Sequence, residues 1–172
     1  MNSTKQQALI VVDVQNGFLS PYTRRALPHI HDLLELDWGL VIATRFYNAE
    51  GSPFRKQIHW NRLSSEEEIT LDPKVEKRAD VIIDKPTYGV GSKLLELLAK
   101  HNLTSATVVG IDTDVCVLQN AAQLFDAGIT TTVDHRACAT NGGPQAEQAA
   151  IALLRRTVGG DYVITGNEAL IA

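Results

Sequence analysis

Three side chains that could together carry out acyl transfer follow different apolar runs of this chain. Asp13 follows the run at residues 9–12, Lys85 follows residues 81–84, and Cys116 lies five residues after the run that ends at Ile111. If these runs are parallel strands, their carboxyl ends meet at one edge of a sheet, where ligands of such folds bind. We therefore expect an acid, an amine and a thiol to lie at the same edge.

Each of these residues also has an ordinary structural explanation. An aspartate after a strand is often a turn residue, a lysine there is usually solvated, and a lone cysteine on an apolar helix is usually a small buried hydrophobe. Cys116, however, lies in the first turn of its predicted helix, where unpaired amides and the helix dipole favour the thiolate. Because a nucleophile, a cation and a proton-carrying carboxylate form a complete set, the combination predicts acyl-transfer chemistry.

The elements that must position these side chains alternate along the sequence. Short runs rich in Val and Ile are apolar at successive positions, which is typical of strands covered on both faces of a parallel sheet. The runs occupy residues 8–12, 40–44, 81–83, 106–111, 129–133 and 162–164. Helical spacing occurs at residues 30–34, at 94–98 with Ser92 as a cap, at 117–125 before Gly128, and at 146–154 after Pro144. The alternation predicts an α/β fold with three layers, α/β/α, around a mostly parallel sheet.

Residues 46–80 interrupt this alternation. They carry Gly51, Pro53, Trp60 and the acidic run at 66–68, without a clean period. A solvated excursion is the ordinary explanation, but a long connection in a compact domain is often a lid or a binding loop, and both alternatives stay open. No domain boundary is visible, so we expect one domain over residues 1–172.

The composition argues against several classes of protein. The 172 residues are 44% hydrophobic and 21% charged, and the net charge of −4 provides no basic surface for nucleic acid. The apolar runs are too short to span a bilayer, and the N-terminus lacks the apolar core of a signal peptide. The two cysteines, Cys116 and Cys138, form no disulfide framework, and we interpret Cys138 as structural. We expect a cytoplasmic protein with a small-molecule substrate and neither nucleic acid nor membrane as a partner.

Three strings carry a resemblance to a known family. Val-Val-Asp-Val-Gln-Asn-Gly-Phe at residues 11–18 resembles the first motif of the isochorismatase-like cysteine hydrolases. Gly-Ile-Asp-Thr-Asp-Val-Cys-Val at 110–117 closely resembles their nucleophile motif, and Ile-Asp-Lys-Pro-Thr-Tyr at 83–88 is similar to their lysine motif. Order and spacing agree over essentially the whole chain. The resemblance implies the Rossmann-like, isochorismatase-like fold of the nicotinamidase/isochorismatase superfamily and a homo-oligomer, a dimer or larger.

The resemblance also implies residue roles. The catalytic triad of the family maps onto Asp13, Lys85 and Cys116, and its cis peptide bond maps onto Ile111–Asp112. The backbone amides of Asp112 and Cys116 would then form an oxyanion hole. The implied reaction is hydrolysis of a C–N bond in a small amide, of a nicotinamide-like, ureido, carbamoyl or maleamate type, through a thioester. The alternative is a catalytically silent binding or scaffolding protein of the same fold.

The sequence departs from the metal-binding relatives in this family. Relatives that hydrolyse nicotinamide carry Asp-x-His after the second strand and a further histidine, which together hold a metal. The matching stretch here is Thr-Arg-Phe-Tyr-Asn at 44–48, and His59 is the only histidine in the excursion. Zinc sites need three or four donors. We therefore expect no metal and no cofactor, which weakens the case for nicotinamidase activity. Cys116 argues against vinyl-ether cleavage, because relatives with that activity lack the cysteine.

Side chains near the predicted strand ends are candidates for a substrate pocket. We predict that Gln15, Phe18, Tyr47, Trp60 and Tyr88 contribute to it. For the glutamine we also predict that it orients the loop after the first strand, with a solvated turn side chain as the alternative. For the aromatic residues the alternative is ordinary core. The arginine at position 45 is a candidate partner for a substrate carboxylate, and a structural ion pair is the equally good alternative.

Overall fold

The computed structural model describes residues 4–166, and in this part of the chain six strands form one sheet. The strands are β1 (Ala8–Val12), β2 (Leu40–Phe46), β3 (Val81–Lys85), β4 (Ser105–Ile111), β5 (Thr130–Ala139) and β6 (Val163–Ile164). Their order is β3-β2-β1-β4-β5-β6, and all neighbours pair in parallel. The predicted α/β class is confirmed, and the described sheet is parallel throughout.

Seven α-helices connect the strands within the described residues. They are α1 (Leu27–Leu34), α2 (Pro53–Gln57), α3 (Glu66–Ile69), α4 (Pro73–Arg78), α5 (Ser92–Lys100), α6 (Leu118–Asp126) and α7 (Gly143–Val158). Helix α1 packs against α4, and α6 packs against α7. Every residue of β1 is buried, so both faces of the sheet are covered, as the continuous apolar runs predict. None of these helices is long and apolar enough to cross a bilayer.

Strand β5 continues beyond the predicted end of its apolar run at residue 133. The extension carries Asp134 and Arg136, whose side chains pair with each other at 2.6 Å. Because this ion pair satisfies the charges locally, the strand proceeds through them to Ala139. Cys138, five residues beyond the predicted end of the run, therefore lies inside the strand and is fully buried.

The predicted helix ends agree with the structure in part. Gly128 follows α6 with a φ of 77°, and its N–H donates to the carbonyl of Phe125 at 2.9 Å, which is typical of a C-terminal glycine stop. Pro144 lies in the first turn of α7, as predicted. Ser92 is the first residue of α5 rather than its cap, because Gly91 occupies the capping position with a φ of 80°.

The excursion at residues 46–80 contains the three shortest α-helices, α2 to α4. Each begins with a side chain that accepts a hydrogen bond from a backbone N–H of its first turn: Ser52, Ser65 and Asp72, respectively. Helices of four to six residues are too short to show a hydrophobic period, which is why the sequence predicted none here. The acidic run at 66–68 forms the first turn of α3, where the helix dipole favours negative charge.

A small apolar cluster lies at the carboxyl edge of the sheet, separate from the main core. It consists of Phe18, Phe46, Phe54, Leu63 and Ile111, with Trp60 packed against it. Two of its members are the last residues of β2 and β4. The excursion thus supplies aromatic side chains to the edge where the candidate catalytic residues were expected.

Gly110 is required by the close pairing of β1 and β4. It has a φ of 125°, and a Cβ there would overlap the carbonyl oxygen of Val12 and lie 2.7 Å from its backbone nitrogen. We expect Gly110→Ala to lower the free energy of unfolding by about 3 kcal/mol or more, measured by urea unfolding. The cost of backbone strain at a positive φ and the cost of overlap with Val12 add to each other.

Gly128→Ala is the matched control, because φ is 77° but no atom lies within 4 Å of the added Cβ. It should cost about 1–2 kcal/mol, the penalty for a left-handed alanine alone. Equal losses in the two variants would show that the contact with Val12 does not matter.

Candidate active site

The carboxyl edge of the sheet brings Asp13, Lys85 and Cys116 together. Asp13 directly follows β1, Lys85 is the last residue of β3, and Cys116 lies in a π-helical turn, Thr113–Val117, after β4. The strand order reverses between β1 and β4, and in doubly wound sheets that crevice is where ligands bind. The exposed fractions are 0% for Asp13, 2% for Lys85 and 5% for Cys116.

Lys85 reaches across the end of β2 to Asp13. Its Nζ donates to Asp13 Oδ2 at 2.6 Å and to the backbone carbonyls of Thr87 and Tyr88 at 2.8 and 3.0 Å. It also lies 5.3 Å from the ring centroid of Phe46. The ammonium therefore has three acceptors, which compensates a buried charge that would otherwise be very costly.

The carboxylate of Asp13 is held from two sides. Its Oδ1 accepts a hydrogen bond from Thr44 Oγ1 at 2.6 Å, and its Oδ2 accepts the bond from Lys85. Its own backbone N–H donates to the carbonyl of Thr44 at 3.2 Å. The backbone of Asp13 is left-handed, with a φ of 51°, so the chain turns directly after β1. The carboxylate consequently has one position, beside the thiol.

The Cys116 thiol is hydrogen-bonded to Asp13 and has a raised pKa. Burial is the largest cause, the negative charge of Asp13 and the hydrogen bond to it add to the rise, and the ammonium of Lys85 opposes it. This direction is opposite to the one expected from the helix start, because burial and the neighbouring anion both raise the pKa of the thiol. The geometry instead favours a neutral thiol poised to donate to a carboxylate.

The turn before Cys116 has the backbone that the resemblance implies. The Ile111–Asp112 peptide bond is cis, and the carbonyl of Asp112 accepts hydrogen bonds from Val115 at 3.3 Å and Val117 at 3.1 Å. Asp112 and Cys116 both line the cavity described below. That their backbone amides form an oxyanion hole stays a prediction.

A largely apolar cavity of about 310 Å³ lies against the Cys116 side chain. Five of the nine lining residues are aromatic. The lining consists of Phe18, Phe46, Phe54, Ile58, Trp60, Tyr88, Asp112, Val115 and Cys116. Three of the predicted pocket residues, Phe18, Trp60 and Tyr88, are among them. Phe46 was missed although it lies two residues after a predicted strand. Phe54 and Ile58 were missed because α2 and its C-terminal end have no periodic signal.

The structure places two of the predicted pocket residues, Gln15 and Tyr47, outside the cavity lining. Gln15 is fully buried, and its Nε2 donates to the carbonyl of Phe46 at 2.8 Å and to that of Ile69 at 2.9 Å while its Oε1 accepts from the Phe46 N–H. It therefore ties the loop after β1 to β2 and does not line the cavity. Tyr47 is 41% exposed and also lies outside the cavity lining, because the side chain after Phe46 points away from it.

The stretch after β2 does not fit a metal. Arg45 pairs with Asp84 through bonds of 2.6 and 3.2 Å, which makes it a structural ion pair, and Asn48 donates to backbone carbonyls of the excursion. His59 is exposed. Between residues 4 and 166, no group of three or more His, Cys, Asp or Glu side chains is arranged to hold a metal ion. The stretch that matches the metal-binding motif of the nicotinamide-hydrolysing relatives thus forms an ion pair and backbone hydrogen bonds here.

Comparison with known proteins identifies the family. A model of the isochorismatase domain matches residues 7–168, so the chain belongs to the isochorismatase family. A comparison with curated protein sequences finds no significant match.

Solved structures show the same fold at low sequence identity. PnC1 from L. infantum in complex with nicotinate has a TM-score of 0.82 and 20% identity, over 98% of this chain and 96% of that chain. An isochorismatase-like hydrolase from Alkaliphilus metalliredigens has a TM-score of 0.80 and 15% identity, over 93% and 94%. The nicotinamidase PncA from Bacillus subtilis has a TM-score of 0.79 and 19% identity, over 93% and 99%. The chain therefore has the three-layer isochorismatase-like hydrolase fold.

The donor set predicts that the purified protein binds no stoichiometric metal. Elemental analysis should find less than about one-tenth of an equivalent of zinc, iron or manganese, because zinc sites take three or four protein donors. Incubation with EDTA should leave the unfolding temperature and any hydrolytic activity unchanged. A tightly held metal whose removal abolishes activity would contradict this prediction.

The pKa of Cys116 should respond in opposite directions to its two charged neighbours. Asp13→Asn removes an anion and should lower the thiol pKa, so alkylation by iodoacetamide near neutral pH becomes faster. Lys85→Met removes a cation and should raise the pKa and slow alkylation. Each unit of pKa shift changes the thiolate fraction below the pKa by about tenfold.

Timed alkylation followed by peptide mapping over about pH 6–10 measures both effects. Cys138 is the internal control, because burial inside β5 raises its pKa strongly and should keep it unmodified in every variant. Identical Cys116 profiles in wild type and Asp13→Asn would show that the carboxylate does not control the thiol.

Proposed function

We propose that this chain is a cysteine hydrolase that cleaves the C–N bond of a small amide through a thioester on Cys116. The observation that carries the proposal is the contact of a thiol with a buried carboxylate–ammonium pair at the wall of an apolar cavity. The cavity volume of about 310 Å³ suits a small-molecule substrate. The cytoplasmic location and the homo-oligomeric state stay predictions.

The first half of the reaction forms the thioester. The Cys116 thiol gives its proton to Asp13 as the sulfur attacks the amide carbon, and the negative charge moves from the carboxylate to the sulfur and then to the carbonyl oxygen. The backbone amides of Asp112 and Cys116 hold that oxygen, and removing one such donor typically costs about 10²–10³ in rate. Protonated Asp13 then gives its proton to the leaving nitrogen, so that ammonia or an amine departs.

The second half releases the acid. Asp13, again ionised, takes a proton from water, the resulting hydroxide attacks the thioester carbon, and the carboxylic acid product leaves as the thiol is restored with the proton held by Asp13. The Lys85 side chain donates to Asp13 Oδ2 at 2.6 Å. Its positive charge lowers the cost of each negative charge that forms beside it, in a site where burial weakens screening.

We favour the hypothesis of a hydrolase over that of a catalytically silent binding or scaffolding protein. A buried ion pair is often no more stable than apolar residues of the same volume, so a protein that only binds gains nothing from it. A thiol, a carboxylate and an ammonium, the groups that the proposed reaction needs, lie next to one another. A nucleotide-binding protein of similar topology would need a glycine-rich loop after β1, and residues 14–18 contain a single glycine.

Asp13→Asn should abolish turnover while the protein stays folded, because the amide keeps the shape but cannot carry the proton. We expect kcat/KM to fall by at least about 10³-fold for any amide that the wild type hydrolyses, measured by ammonia release and mass spectrometry of the product. Activity within a few-fold of wild type would show that the triad assignment is wrong.

Two further variants sharpen this test. Acid quenching of wild type during turnover should trap an acyl adduct on the peptide that contains Cys116, and Cys116→Ser should give none.

Asp84→Asn is the matched control for Asp13→Asn, because Asp84 pairs with Arg45 outside the cavity. It should retain turnover within about threefold, since exposed ion pairs contribute little.

A further inference from the structure

The cavity carries a negative charge that the proposed mechanism does not use. Asp112 is one of the residues that line it, as is Cys116, and the side chain of Asn141 bonds both to the Asp112 carboxylate and to the carbonyl of Phe18, another lining residue. Asp112 Oδ1 accepts two hydrogen bonds from Asn141, one from the backbone N–H and one from Nδ2, both at 2.9 Å. No residue between 4 and 166 donates a hydrogen bond to Oδ2. One oxygen of this carboxylate is therefore available to a ligand.

No described residue that lines the cavity could neutralise this charge. The lining contains neither lysine, arginine nor histidine. The nearby ammonium of Lys85 already donates to three acceptors, and Arg45 is engaged with Asp84 outside the cavity. A carboxylate on a substrate would consequently meet a negative charge without a compensating partner.

The carboxylate is ionised near neutral pH despite its surroundings. Burial raises the pKa of Asp112 to about 6, the hydrogen bonds from Asn141 oppose the rise, and the charges of Asp114 and Asp13 add to it. Above that value the group is mainly negative. Burial also weakens solvent screening of its field inside the cavity.

The remaining walls are suited to cations as well as to apolar groups. Phe18 and Trp60 are stacked with centroids 5.9 Å apart, Trp60 and Phe46 are 5.8 Å apart, and Phe54 and Tyr88 meet edge-on at 4.9 Å. Aromatic faces attract cationic groups, and aromatic cages are a common way to bind them.

We propose that Asp112 determines specificity, selecting small amides whose apolar acyl part carries a positive charge and disfavouring amides that carry a carboxylate. The turnover aspect of this inference rests on the proposed function, whereas the binding aspect does not. It narrows the candidate substrates by making acidic amides of the maleamate type poor ligands.

The same charge acts on the transition state. The backbone amide of Asp112 is a proposed oxyanion donor, so its carboxylate lies near the oxygen on which negative charge develops and opposes that charge. A cation on the substrate offsets this repulsion. The preference for a cationic substrate should therefore be seen in kcat/KM as well as in affinity.

Three primary amides of similar shape provide the test: 3-(aminomethyl)benzamide, benzamide and 3-carbamoylbenzoate, which are cationic, neutral and anionic near neutral pH. Their affinities for Cys116→Ser are measured by calorimetry at low ionic strength, where exposed charges are least screened. We expect the cation to bind at least about tenfold more tightly than the anion. Adding Asp112→Asn should reduce this ratio to within about threefold.

Asp114→Asn is the matched control, since it removes one negative charge two residues away in the same turn. Asp114 bonds to Thr140 and does not line the cavity. The variant, also made in Cys116→Ser, should retain the preference for the cation. A loss of preference equal to that in Asp112→Asn would overturn the assignment to Asp112.

The outcomes separate this inference from the proposed function. If the cation binds no better than the anion, if Asp112→Asn leaves the ratio unchanged, or if the cation does not bind, the inference is overturned. If the preference is found but wild type hydrolyses none of the three amides or any other small amide, the inference holds and the proposed amidase function fails. If wild type hydrolyses the amides without a charge preference, the proposed amidase function holds and the inference about Asp112 fails.

Discussion

The buried ion pair between Lys85 and Asp13 is the interaction on which the arrangement of the site depends. The two residues belong to the ends of β3 and β1, with β2 between them, and their charged atoms are 2.6 Å apart with almost no exposure. Since an unpaired buried charge costs several kcal/mol, the two strand ends must keep this spacing. Thr44, at the carboxyl end of the intervening strand, holds the second carboxylate oxygen. The sheet register thereby sets the position of the Asp13 carboxylate, the proposed proton acceptor.

Burial has opposite consequences for Cys116 and for its charged neighbours. It raises the pKa of the Cys116 thiol, which disfavours the thiolate. The same low-dielectric surroundings strengthen the attraction of Lys85 for any negative charge that forms nearby. Proton transfer from sulfur to Asp13 moves a negative charge within reach of one fixed ammonium and creates no new net charge. The Cys116 thiol can therefore have a raised pKa in the free site and still transfer its proton to Asp13 in the proposed reaction.

Several features of the fold were predictable because they have a local signal. Continuous apolar runs marked both-face-buried strands, and Gly128 and Pro144 marked helix ends. The second half of β5 and the helices α2 to α4 had no such signal. In β5 the ion pair of Asp134 and Arg136 interrupts the apolar pattern without ending the strand, and α2 to α4 are shorter than a hydrophobic period requires.

The sequence by itself determined the strand-and-helix alternation, the carboxyl edge as the place of the site, and the three residues Asp13, Lys85 and Cys116 that meet there. These depend on residue type and on position relative to a strand end, which are local properties. Only the tertiary structure decided which side chains form the cavity, that Gln15 binds a neighbouring strand end, and that burial and Asp13 raise the pKa of Cys116. Those outcomes depend on distances between groups far apart in the chain and on their exclusion from water, and a linear pattern contains neither.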